Sequence, residues 1–139
     1  MSSVTVVTFR GWKAVAVLVA VAAFTVLRVG SARSSLDTQG REELETWIRA
    51  EVTSDILADS TAGLTERGEA LVGASRVVIR SLEARGPLDD TVVKVELEPN
   101  PHFPEGTELV RYYRLAYSAI LGWSYKGDAN VVSWYLALI

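Results

Sequence analysis

The sequence predicts an α+β protein: a single N-terminal transmembrane helix, then a helical hairpin packed on a small antiparallel sheet. Three observations carry this. Residues Ala14 to Leu27 (AVAVLVAVAAFTVL) are apolar throughout and flanked only by basic residues, with no acid before Asp37. From Leu44 onward, apolar residues recur at three- and four-residue intervals, the spacing of one helical face. After Pro87 the period falls to two in Thr91–Leu97 (TVVKVEL), followed by aromatic, β-prone segments.

The first element is a tail and anchor over residues 1–32. At 1.5 Å per residue the strict run Ala14–Leu27 covers only about 21 Å of a hydrocarbon core about 30 Å thick. Spanning therefore needs help from its flanks. Trp12 stands where an interfacial aromatic would, Lys13 and Arg28 bracket the run, and a snorkelling Arg28 extends the usable helix through Val29 to Ala32. The same pattern also fits a cleaved secretory signal, with Val29, Gly30, Ser31 and Ala32 offering small residues for processing. A short basic tail before an apolar core places the N-terminus in the cytoplasm and the rest on the periplasmic or extracellular side.

Residues 33–40 read as a linker, since Gly30–Gly40 (GSARSSLDTQG) is rich in Gly and Ser. A small acidic α+β domain is expected over 41–139. Its first helix, about 41–62, carries Leu44, Trp47, Ile48, Val52 and Ile56, with Asp37 or Thr38 as a cap; Gly63 ends it. A second helix, about 65–85, carries Leu71, Ala74, Val78 and Leu82 and stops at Gly86–Pro87. Strands follow at about 91–98, 109–125 and 131–138. The loop NPHFPEG is held open by its prolines, and KGDAN supplies a turn before VVSWYLALI. For 109–121 a helical stripe competes with a strand, and the β-prone run that follows decides for the strand.

Charge and composition limit the function classes. Three of the 14 basic residues and none of the 17 acidic ones lie in residues 1–30, so the remaining domain is acidic and a poor match for phosphate backbones. Nucleic acid is not an expected partner. With no cysteine, disulfides, thiolate metal sites and covalent haem attachment are all out of reach. The apolar run has no His, Met, Cys or acid to offer a porphyrin metal. No cofactor is expected.

Catalytic patterns are equally sparse. His102 is the one imidazole, with Glu98 and Glu105 its nearest possible helpers, and a membrane-tethered hydrolase would depend on it. Neither a Gly-x-Ser-x-Gly elbow nor a phosphate-binding glycine loop occurs. The expectation is a protein without enzymatic activity.

Two features point to partners instead. Glu51 and Asp55 interrupt the apolar stripe of the first helix, so they either pair with an arginine at the core's edge or meet a partner that supplies cations. Glu51, Asp55 and Asp59 are spaced four apart, but one helical face lacks the wrap-around oxygens that calcium prefers, and no metal site is expected. Tyr112, Trp123, Tyr125 and Trp134 fall in a C-terminal third rich in Tyr and Trp, residue types that dominate interfaces; one hairpin cannot cover both faces of the sheet, so some rings should face a partner or the membrane. The expected function is a single-pass, membrane-anchored accessory or structural subunit that tethers its domain beside a larger membrane complex, its partners being the lipid bilayer and other subunits. The alternative is a secreted or periplasmic ligand-binding or enzymatic domain with its signal peptide removed.

Overall fold

A four-residue repeat organises the longest element. In the computed structural model, which describes residues 11–58 and 63–137, Ala32, Leu36, Gly40, Leu44, Ile48, Val52 and Ile56 are all buried. They lie on one unbroken helical run, Trp12–Ala58, of 47 residues. The run comprises α1 (Trp12–Ser35), a wide π-type turn (Leu36–Gly40) and α2 (Arg41–Ala58). At 3.6 residues per turn, each four-residue step overshoots a full turn by about 40°, so a strict repeat would walk around an ordinary helix. The wide turn closes i→i+5 bonds, and Arg41 N donates to Leu36 O there. It gives back part of the overshoot and keeps the buried positions aimed at the sheet.

Residues 33–40, expected as a flexible linker, are therefore helical. Glycine and serine content signalled a coil, but Gly40 is buried because a Cβ there would meet Leu36 Cδ1 at 2.5 Å. The small side chain serves close packing rather than flexibility.

After α2 the chain returns through α3 (Leu64–Ala74), which completes the helical hairpin. Four strands then form an antiparallel meander in the order β1 (Ile79–Arg85), β2 (Thr91–Leu97), β3 (Val110–Ser118), β4 (Gly122–Asp128). Val93, Val95, Leu97, Tyr113, Leu115 and Trp123 face the hairpin and join Leu44, Ile48, Val52, Ile56 and Ala74 in one core. A short α4 (Val131–Leu136) lies against the other face, with Trp134 buried over Arg85 and beside Tyr112.

Three expected elements are corrected. The helix at about 65–85 ends at Ala74, and its second half is β1. Val78 and Leu82, four apart, continue the helical stripe, but Val78 precedes the strand and is exposed, and an irregularity between Ile79 and Ser81 breaks the strand's own alternation. The strand at 109–125 is two strands, because Gly122 takes φ +76 and turns the chain. The strand at 131–138 is helical over 131–136: Ser133 N donates to the Asn130 side chain at 2.8 Å, capping the helix despite its β-prone composition. Residues 1–10, 59–62 and 138–139, including Asp59, lie outside the described residues.

Candidate functional site

The contacts that fix the domain to the apolar helix lie at one end of the sheet. The β1–β2 turn and the β3–β4 turn share that end, since Tyr117 N donates to Leu88 O at 2.7 Å. Arg33 reaches across to donate from Nη2 to Gly86 O at 2.9 Å. Trp123 is buried, and its indole N–H is shared between Ala32 O at 3.0 Å and Ser35 Oγ at 3.1 Å. Gln39 closes the joint: its Nε2 donates to Leu121 O at 3.2 Å, and Trp123 N donates to its Oε1 at 3.4 Å. A Cβ at Gly122 would collide with the Gln39 amide, so the turn's glycine meets both a backbone and a steric demand. Farther along the helix, at the opposite end of β1, Arg41 donates from Nη1 to Ile79 O at 2.8 Å.

On the other side of this joint, α1 stands clear of the domain. Trp12, Val15, Leu18, Val19, Val21, Phe24, Val26 and Leu27 are all exposed. Length and composition make Trp12–Ala58 the one helix among the described residues able to cross a membrane; a signal sequence has the same character. From Trp12 to Ala32 the unbroken helix measures about 30 Å, which matches the hydrocarbon thickness that the shorter strict run misses. Lys13 is exposed at its start. Arg28 does not extend toward the domain: its guanidinium lies over the Phe24 ring, 5.7 Å from the centroid, one turn back along the helix.

A second cluster sits farther along α2. Glu51 Oε2 accepts from Arg111 Nη1 at 2.7 Å and from Tyr113 Oη at 2.9 Å. The ion pair is half-buried. Burial, reinforced by the hydrogen bond to Glu51, pushes the Tyr113 phenol well above its ordinary pKa. Tyr125 shifts the same way through desolvation and its bond to Asp128; its ring stacks on Trp47 at 4.4 Å. An open groove of about 470 Å³ runs past Glu51, Glu108, Arg111, Tyr112 and Asp128.

The six residues expected to meet partners thus divide. Glu51 is engaged by Arg111, the arginine that its position called for; Asp55 is exposed on α2. Trp123 and Trp134 are buried in opposite layers, while Tyr112 and Tyr125 are half-buried. On the sheet face that was expected to display aromatic rings, α4 packs locally, seating Trp134 against Tyr112 and Arg85. His102 is exposed and packs against Gly73, where a Cβ would strike it, and Asn100 Nδ2 bonds Gly73 O at 3.2 Å. It also lines an open groove together with Glu66, Glu69 and Glu105. Among the described residues no cluster of three His, Asp or Glu is arranged to hold a metal ion.

Arg33, Gln39 and Arg111 escaped the sequence reading. Arg111 and Tyr113 are two apart in a strand and so share a face, which marks them as joint partners once Glu51 is known to face that strand. For the joint, the legible signal was the continuation of the four-residue repeat back through Gly40, Leu36 and Ala32. Compared with protein families, with curated proteins and with solved structures, the chain matches none.

Proposed function

We propose that the chain is a single-pass membrane-anchored accessory subunit that holds a small acidic domain, on the outer side of the membrane, against a larger membrane protein complex. The observation that supports this most is the joint: the apolar helix continues without interruption into the core helix, and Trp123, Arg33 and Gln39 bind the sheet to it. A loose tether would raise local concentration only. A helix shared by anchor and core also sets the direction in which the domain faces its partner, reducing the orientational freedom lost on docking.

Gentle detergent extraction followed by native purification tests the proposal. Co-migration with membrane subunits at fixed stoichiometry is expected, and a monomer that reproducibly leaves alone overturns it. Mass measurement of the mature chain addresses the secreted alternative. Loss of about thirty residues, the length of a signal peptide, would remove the anchor and the proposal with it.

A further inference from the structure

The end of the sheet that carries the joint also displays apolar side chains that nothing in the domain covers. Ile120 and Leu121, at the β3–β4 turn, are 93% and 76% exposed. Tyr135 and Leu136, near the end of α4, are 68% and 73% exposed. They share that end because α4 begins beside Val110 and Glu108 and finishes at Gly86, where a Cβ would lie 3.9 Å from Ala137 Cβ. The helix thus carries its last turn back to the β1–β2 turn that Arg33 holds.

Depth follows from the helix. If the hydrocarbon layer spans about 30 Å from Trp12, it ends close to Ala32, and the headgroup region adds about 5 to 7 Å beyond it. Ala32 O is the atom that Trp123 binds, and Arg33 is the side chain that binds Gly86. Groups bonded to these two residues lie at headgroup depth.

We propose that this end of the domain rests on the bilayer interface, with Ile120, Leu121 and Leu136 inserted at the headgroup–acyl boundary and Tyr135 at headgroup level. The inference rests on the anchored reading above. The occupant is lipid because the patch lies at the depth where the apolar helix leaves the hydrocarbon, on the groups that Ala32, Arg33 and Gln39 hold. Arg33 supplies positive charge beside it; in the β1–β2 turn the Asp90 carboxylate is engaged by Arg114 at 3.5 Å, and Lys126 Nζ donates to the carbonyl of the exposed Asp89 at 2.9 Å.

The chain has no cysteine, so single substitutions give clean labelling sites. Ile120→Cys, Leu121→Cys and Leu136→Cys would each carry an environment-sensitive fluorophore in the full-length protein, reconstituted in phosphatidylcholine–phosphatidylglycerol nanodiscs. Leu18→Cys marks the apolar helix, and Leu64→Cys, beyond the far end of α2, marks the aqueous side. Several-fold weaker iodide quenching at 120, 121 and 136 than at 64, with Leu18 shielded as well, is the expected result. Quenching at 120, 121 and 136 equal to that at 64, with Leu18 still shielded, overturns the interfacial contact and leaves the anchor standing. Free quenching at Leu18 overturns the anchor itself. Shielding in native membranes that vanishes in pure lipid discs means that a protein occupies the patch and overturns the lipid assignment.

Discussion

One oxygen of Glu51 accepts from both a guanidinium and a phenol, so its charge is used twice. Glu51→Gln keeps the shape but leaves Arg111 half-buried beside a neutral acceptor. The expected loss is about 1.5–3 kcal/mol of folding stability, the range for hydrogen bonds to charged groups, read from urea unfolding of the detergent-solubilised full chain. Tyr113 gives a pH signature. The folded state favours its neutral phenol, so above the ordinary value of 10.0 the unfolded chain releases this proton first. Stability from this source is complete below pH 10 and declines as pH rises through the elevated folded pKa. Tyr113→Phe should flatten the decline between pH 9 and 11, in urea midpoints compared at each pH; an unchanged slope would assign it to other groups, Tyr125 among them.

The elements that sequence made legible were those whose period survived intact. Leu44 to Ile56 kept a helical spacing, and Val93, Val95 and Leu97 kept a strand's alternation, so α2 and β2 fell where expected. Where tertiary contact altered the period, the reading failed. The exposed Val78 and the irregularity in β1 disguised a strand as a helix, Gly122 divided one strand into two, and α4 became helical through its cap and the seat for Trp134. The wide turn at Leu36–Gly40 was hidden because its cause is a relation between two elements. Trp123 tests that relation directly. Trp123→Phe keeps a ring in the core but removes the donor to Ala32 O and Ser35 Oγ, leaving the Ala32 carbonyl to the Ser35 hydroxyl alone. A drop of about 0.5–1.5 kcal/mol in thermal or urea stability is expected, the net value of a neutral hydrogen bond. The change should also speed backbone amide exchange around residues 32–39, whereas a loss confined to the distal strands would deny the joint its role.

For the whole molecule, the difference between a linker and a continuous helix decides how the domain is presented. A coil at residues 33–40 would let the acidic domain reorient freely about the end of the apolar helix. Continuous helix from Trp12 to Ala58 instead makes the apolar segment and the core helix one beam, braced at its middle by the sheet. Nitroxides at Val26→Cys and Leu57→Cys, both exposed and on either side of the former linker, convert this into a distance. Thirty-one residues of helix separate them by about 46 Å, with a narrow distribution because the helix passes through the wide turn at Leu36–Gly40 without a break. Inserting six Gly and Ser residues between Ser34 and Ser35 should broaden that distribution as the joint loses its registry with the span. Pulsed dipolar spectroscopy of the full chain in nanodiscs distinguishes the cases: a broad distribution in the unaltered chain would return the domain to a flexible tether. A narrow peak that the insertion disperses would establish that orientation, and not proximity alone, is what this helix provides.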